Sequence, residues 1–359
     1  MSKREDFVTI NEVAEFSGVS KATVGRVIGN YGVVAEKTKQ KVLSAIEKLN
    51  YVPNALAQGM RNKTTKIIAI VVGSIKNNFF TEIIYAIEQI ATKNHFNVII
   101  CNSQEDIEKE IMHLKSLYSR RIDGIIIAPA YMADNKIKNE NLYLYDSTIP
   151  TVLIDRKVGN LNKAVIHSDN FNGSYKATEY LISLGHKHIG VIATRNFITV
   201  NDRINGYKKA LKNYKINFYE HYIEAADYED DDSVLSAVDN LLTKNKSITA
   251  IMVLNDNLIG TILAGIKRMG LIIPDDISVL SWDDNAITKL FDITTITQQA
   301  NEIGELAVKN LFEIINSEEK VHPKEIILET NLIERKSCRS QDDIKVLQEV
   351  YNGSYYGNE

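Results

Sequence analysis

Apolar positions in residues 9–28, TINEVAEFSGVSKATVGRVI, recur at helical spacing in two short runs separated by Ser17, Gly18 and Val19. Thr9 suits the N-cap of the first run, with Glu12 three residues on as its capping-box partner, and Ile10, Val13, Ala14 and Phe16 form the expected inward stripe. Gly18 can supply the positive φ of a sharp corner, and small Ala14 lets a second helix cross close by. Ser20 suits the second N-cap; Val24, Val27 and Ile28 then pack inward, leaving Lys21, Ala22, Thr23 and Arg26 outside. A third stripe, Val42, Leu43, Ile46 and Leu49, predicts a helix over residues 35–49. Three helices with a tight first corner predict a helix-turn-helix, whose second helix lies in the DNA major groove.

From Lys66 onward the pattern changes. Short β-rich runs begin at Ile67 (IIAIVVG), Asn97 (NVIIC), Asp123 (DGIIIA), Thr151 (TVLI), His188 (HIGVIA), Ala250 (AIMVL) and Ser278 (SVLSW). Amphipathic stretches alternate with them near residues 80–94, 106–120, 173–184, 202–213, 233–244, 257–269 and 301–316. That alternation predicts parallel, doubly wound α/β units. So many steps exceed one small sheet, so two lobes are expected, with a ligand cleft at the carboxyl ends of the strands.

Charge separates the same two parts. Residues 1–64 carry ten Lys/Arg against six Asp/Glu, net +4, so with the whole chain at −4 the remainder sums to −8. The basic end suits nucleic acid. The longest apolar run, residues 67–72, is too short to span a bilayer, and MSKREDF lacks an apolar signal region, so a cytoplasmic protein without membrane contact is expected. Cys101 and Cys338 match no disulfide framework or metal spacing and are expected to be free buried thiols. Nucleotide, metalloprotease and serine-hydrolase motifs are missing from the sequence, so neither an enzyme nor a cofactor is expected. His186 and His188, in LGHKHIG, read as surface or carbonyl-bonded, and the acidic run from Asp227 to Asp232 as helix capping.

The segment 9–28 resembles the head of the LacI/GalR family of bacterial transcription regulators. It follows the family pattern at Thr9, Ile10, Val13, Ala14, Gly18, Val19, Ser20, Thr23, Val24, Arg26 and Val27, and departs from it at Glu12, Ser17, Gly25, Ile28 and Gly29. Gly25 replaces a family serine near the DNA backbone and weakens the recognition helix by about 1 kcal/mol relative to alanine. Residues 49–71 resemble the family's hinge: Tyr51, then Pro53 as a first-turn residue, then a helix over 54–61 too short to persist alone. By that resemblance Met60 is the wedge that enters the minor groove, with Asn54 and Ala57 beside it, and Asn30 belongs to the DNA face. SDNFNGSYKATEYLISLGHKHIGVI, DRINGYKKAL, LNDNLIGTILAGIKRMGLIIPDDISVLSWDD and TTITQQANEIGELA resemble the same family's effector domain, which shares the fold of periplasmic sugar-binding proteins. Coverage runs from Thr9 to Cys338.

The resemblance implies ligand positions at Arg203, Asn255 and Asp283, with Asp155, Phe80 and Gln298 as further members. Arg203 can offer a planar fork, Asn255 and Asp283 can pair with vicinal hydroxyls, and Phe79, Phe80 or Trp282 can supply an apolar face. An Arg203–Asp283 ion pair bracing one lobe is the alternative. Trp282 stands where the family has Phe or Tyr, with core and ligand wall both open to it, and Thr297 and Gln299 depart from the family's R-Q-P.

The expected organisation is a helix-turn-helix domain (residues 1–50), a hinge and linker (51–65), an effector and dimerisation domain (66–340) and a tail (341–359). Lobe 1 is expected over 66–167 and 297–328, lobe 2 over 168–296 and 329–340. The stripe Ile344, Leu347 and Tyr351 is too short for a coiled-coil seam, so a homodimer on a pseudo-palindromic operator is expected, controlled by a sugar-like effector. Two other readings remain: control by a protein co-regulator such as a phosphocarrier protein, and a cytosolic sugar-binding protein without DNA function.

Overall fold

The computed structural model describes residues 8–52, 64–130, 145, 148–159, 161–194, 197–317, 319 and 321–342. The chain separates into two compact units: Met1–Ile67 with Arg121–Asp123, and the remainder.

The first unit holds α1 (Ile10–Ser17), α2 (Lys21–Ile28) and α3 (Glu36–Lys48). Thr9 and Glu12 form the anticipated reciprocal cap on α1. Gly18 takes the left-handed conformation at φ 65°, and the Val19 N–H closes the corner on the Ala14 carbonyl at 3.1 Å. Ser20 caps α2 by accepting from the Thr23 N–H. The core is Val13, Ala14, Val24, Val27, Val42 and Ala45. Two stripe members are corrected. The buried line of α1 runs Val13, Ala14, Ser17, so Phe16 lies on the outer side and is 56% exposed. On α3 the line is Val42 and Ala45, flanked by Ile46 and Leu49, and Leu43 turns outward. Asp123 holds the chain before the first strand, accepting from the Thr65 N–H at 2.8 Å and the Lys66 N–H at 2.9 Å.

The second unit alternates strands and helices: β1 (Ile67–Val72), α4 (Asn78–Lys93), β2 (Asn97–Asn102), α5 (Ile107–Ser119), β3 (Gly124–Ile127), β4 (Thr151–Ile154), β5 (Ala164–Ser168) and α6 (Asn170–Ser183). There follow β6 (Ile189–Thr194), α7 (Ile198–Asn213), β7 (Ile223–Ala226), α8 (Asp231–Lys244), β8 (Ala250–Val253), α9 (Ile259–Arg268), β9 (Ser278–Trp282) and α10 (Ala286–Leu290). The last elements are β10 (Thr294–Thr297), α11 (Ala300–Asn316), β11 (Glu325–Leu328) and β12 (Asn331–Ile333). Two six-stranded sheets result, in the orders β11-β5-β4-β3-β1-β2 and β12-β10-β9-β8-β6-β7. Eight neighbouring pairs, β1–β3, β3–β4, β4–β5, β5–β11, β6–β7, β6–β8, β8–β9 and β9–β10, are parallel, and β12 runs antiparallel to β10. The chain passes between sheets three times, after β5, after β10 and after β11.

Strands β5, β7, β10, β11 and β12 were not anticipated. They are short, and Thr-rich β10 (TTIT) and the edge strands β7, β11 and β12 carry no long apolar run. Helices α6 and α7 begin three to four residues before their apolar stripes, at Asn170 and Ile198; Asp169 caps the former by accepting from the Asn172 N–H at 3.0 Å.

Candidate functional site

On the first unit, Lys21, Ala22 and Arg26 stand exposed along α2, with Thr9 exposed at the start of α1 and Asn30 just beyond α2. Thr23 is half-buried, its hydroxyl 2.9 Å from that of Ser20, which fixes the start of the helix. Asn30 sits at φ 49° just beyond α2. Tyr51 is half-buried and packs on the three-helix core, its N–H donating to the Ile46 carbonyl. Asn54, Ala57 and Met60, like Pro53 and the tail stripe, lie outside the described residues.

In the second unit a cleft opens where the strands of both sheets end. Its lining residues follow strands almost one for one. Glu105 and Asp155 stand beyond β2 and β4, Phe197 and Tyr228 beyond β6 and β7, and Asn255, Asp283 and Gln298 beyond β8, β9 and β10. Phe79 and Phe80, on the first turn of α4, add an apolar wall.

Arg203, fully buried on α7, is held on two sides. Its Nε donates to Asn170 Oδ1 at 2.8 Å and its Nη1 to the Leu254 carbonyl at 2.6 Å. The guanidinium lies 4.0 Å over the Trp282 ring. Burial pulls its pKa down to about 10, against the pull of Asp283, Asp155 and Asp256. Among the described residues it forms no ion pair with Asp283, which instead accepts from Gln298 Nε2 at 2.9 and 3.2 Å. The ion-pair alternative is therefore not what the geometry contains. Burial and the facing Asp256 push Asp283 well above the usual carboxylate range. Gln298 Oε1 is buried and has no partner among the described residues, an acceptor facing the cleft. Trp282 is corrected: it is core, not ligand wall, completely buried beneath Arg203.

Several cleft groups escaped the sequence reading, Glu105, Arg156, Asn77 and Asp256 among them. Arg156 is buried and bound by two carboxylates, with Nη1 and Nη2 donating to Glu105 at 2.7 and 3.1 Å and Nε to Asp155 at 2.9 Å. Burial opposes its charge, but Glu105 and Asp155 outweigh burial and hold the pKa above the ordinary arginine value. Gly73 leaves room for this arrangement, since a Cβ there would lie 1.8 Å from Glu105 Oε1. Arg156 also lies 5.4 Å from the Phe197 ring centroid across the cleft, and Asn77 Nδ2 donates to Asp256 Oδ1 at 3.1 Å, so both contacts join the lobes. A rule that looks one to three residues past each strand would have found Glu105, Arg156 and Asp256.

His186 and the acidic run behave as read: His186 bonds Thr249 Oγ1 at 2.8 Å and the Arg339 carbonyl at 3.1 Å, and Asp230 caps α8. Cys101 is buried and Cys338 half-buried, both free.

A small helix-turn-helix unit and a two-lobed α/β unit with a polar cleft at its strand tips define a ligand-controlled DNA-binding regulator. Residues 9–54 match the family model "Bacterial regulatory proteins, lacI family", and residues 178–338 match "Periplasmic binding protein-like domain". The HTH-type transcriptional repressor PurR of Histophilus somni (strain 129Pt) is 33% identical over 336 residues, 92% of this chain and 99% of that protein. The chain belongs to the LacI family and is a DNA-binding transcription regulator, not an enzyme. Among solved structures, the lac repressor dimer bound to operator and the anti-inducer ONPF shares the fold at TM-score 0.78 and 24% identity, covering 93% of this chain and 100% of that one. A LacI family regulator from Enterococcus faecium with bound ribose matches at TM-score 0.67 and 28% identity, covering 76% and 99%. Among the described residues no helix is long and apolar enough to cross a membrane.

Proposed function

We propose that this chain is a homodimeric, cytoplasmic repressor that binds a pseudo-palindromic operator and changes its operator affinity when a small sugar-like effector enters the cleft. One observation carries the effector half: Arg203 of α7 converges with Asn255, Asp283 and Gln298 at the strand tips of the second sheet, opposite Asp155, Phe79 and Phe80 at the first. That set offers a planar donor fork, carboxylate acceptors and an apolar face, the requirements of a ring bearing hydroxyls. The ribose complex of the Enterococcus faecium relative supports the same class.

Thr9, Ser20, Lys21, Ala22, Thr23, Arg26 and Asn30 form the DNA-reading face, with Arg26 on a guanine or phosphate and Lys21 and Ala22 setting base preference. The hinge residues Asn54, Ala57 and Met60, flanked by Tyr51, enter the minor groove. The domain organisation is 1–50, 51–65, 66–340 and 341–359, with the two lobes meeting at the three crossovers.

Thermal shift against neutral pentoses, hexoses and disaccharides, ribose and cellobiose included, tests the cleft. A ligand at a hundred times its dissociation constant adds about 2.7 kcal/mol of stability. Arg203→Met should abolish the shift while operator binding persists. A retained shift removes Arg203 from the site.

A further inference from the structure

We propose that Asn170 and Trp282 are positioning residues that hold Arg203 for the effector and tie it to two of the three crossovers between the lobes. The inference rests on the reading of Arg203 as an effector-binding residue.

Asn170 is buried at the first crossover, the first residue of α6 after β5 has ended at Ser168. Its side chain works in both directions. Oδ1 accepts from Arg203 Nε at 2.8 Å, and Nδ2 donates to the Ser168 carbonyl at 3.2 Å. One amide therefore joins the last residue of a first-sheet strand to the arginine of the second lobe. Asn suits this place because its amide carries the acceptor and the donor on separate atoms; an aspartate would keep the first bond and lose the second.

Trp282 makes the second tie. Arg203 stacks on its ring, and the far edge of the indole reaches α6, where a Cβ on Gly173 would lie 2.9 Å from Cη2 and 2.4 Å from Thr330 Oγ1. Thr330 is buried in the third crossover, between β11 and β12. The first and third crossovers are also bonded directly, the Asp169 N–H donating to the Leu328 carbonyl at 2.8 Å. Movement of the guanidinium toward a ligand therefore disturbs an amide at one crossover and a ring packed beside another. Coupling of this kind needs a contiguous set of contacts that both sites bias, and these residues supply one.

Trp282 is the sole tryptophan of the chain, so intrinsic emission of the full-length protein reads the Arg203 stack directly. Arg203→Met removes the cation and sets the reference shift. Asn170→Ala should move the emission maximum in the same direction by at least half as much, whereas Asn170→Asp, which keeps the acceptor, should stay at the wild-type position. In Asn170→Asp the amides of residues 169–171 should nonetheless exchange about five- to tenfold faster, because the bond to Ser168 is gone. Trp282→Phe should speed exchange at residues 329–331 by a similar factor.

Far-UV circular dichroism identifies any variant that does not fold, and Asn170→Ser then replaces Asn170→Ala. The proposal is overturned if Arg203→Met leaves the emission unchanged, if the alanine or serine variant keeps wild-type emission, if Asn170→Asp shifts as far as that variant, or if crossover exchange is unaltered. No effector enters these measurements, so the relay can fail while Arg203 still binds effector, and the reverse.

Discussion

Asp155 and Asp283 occupy the same place in the two lobes. Each is the first residue beyond its strand, β4 or β9, and each has left-handed backbone, at φ 65° and 62°. Each donates its N–H to the neighbouring strand, Asp155 to the Ile166 carbonyl at 3.0 Å and Asp283 to that of Ile296 at 2.7 Å. The sheet orders match strand for strand, so the two aspartates approach the cleft from equivalent tips. Asp tolerates this backbone better than most residues, and strain of this type gathers at ligand sites.

Asp283→Asn should therefore fold at least as well as the native chain, because Asn accepts left-handed φ and sheds a buried carboxylate whose charged form burial disfavours. Asp283→Val should lose about 2 kcal/mol or more, since a β-branched side chain fits that conformation poorly. Thermal melts of the pair decide it; equal stability would remove the backbone argument.

Two buried groups should titrate against each other in stability. His186 is fully buried, and burial lowers its pKa to about 4 from 6.5, so its contribution is complete above pH 6.5 and is lost as pH falls toward 4. Glu110, buried with its carboxylate accepting from the Ala130 N–H and the Tyr145 hydroxyl, is raised by burial to about 7 from 4.5. Its contribution is complete below pH 4.5 and is lost as pH rises through 7. The slopes oppose over much of pH 4.5–6.5, each amounting to about 2–3 kcal/mol. Melting temperature should rise with pH over that window in Glu110→Gln and fall in His186→Gln. Parallel profiles for both variants and wild type would show that neither group carries the slope.

Close packing of α6 against α7 should make Gly206 irreplaceable. A Cβ there would lie 2.1 Å from the Phe171 carbonyl oxygen and 3.0 Å from the Tyr175 nitrogen, both backbone atoms that cannot give way locally. Gly206→Ala should cost about 3 kcal/mol or more, or prevent folding. Gly260→Ala, meeting only the tip of the Ile287 side chain at 3.3 Å, should be tolerated, with up to about 1 kcal/mol of helix propensity in its favour. Comparable losses in the two variants, measured by denaturant titration, would contradict the packing.

On the DNA side, exposed Arg26 should contribute about 1–3 kcal/mol to specific binding, and operator affinity should fall steeply with added salt as phosphate contacts release counterions. Fluorescence anisotropy with the full operator and with a half-site measures both. Unchanged affinity for Arg26→Ala would remove it from the reading face, and equal affinity for a half-site would count against a dimeric repressor.

Ser20, Thr9 with Glu12, and Gly18 were legible because caps and corners are local: the groups that satisfy one another lie within three or four residues. The roles of Asp155, Asn255 and Asp283 were legible only with the family resemblance, and the Thr-rich β10 not at all, because a strand of four residues, three of them buried, has no distinctive period. Phe16 shows the limit of a stripe on a short helix. Once Ser17 takes the buried position, a large apolar neighbour is carried to the outer side.

Sequence alone determined the basic head, the alternation of strand and helix, and the existence of two doubly wound units, since each follows from apolar periodicity and turn chemistry within short windows. Only the tertiary structure decided which tips face each other. It paired Arg156 with Glu105 fifty-one residues away, brought Asn77 to Asp256 across 179 residues, placed Trp282 under Arg203 and gave Arg203 to Asn170 in preference to Asp283. Such partners are set by sheet order and crossover, where burial of a charge demands whichever donor or acceptor the fold brings within reach, and no local window of the chain contains that information.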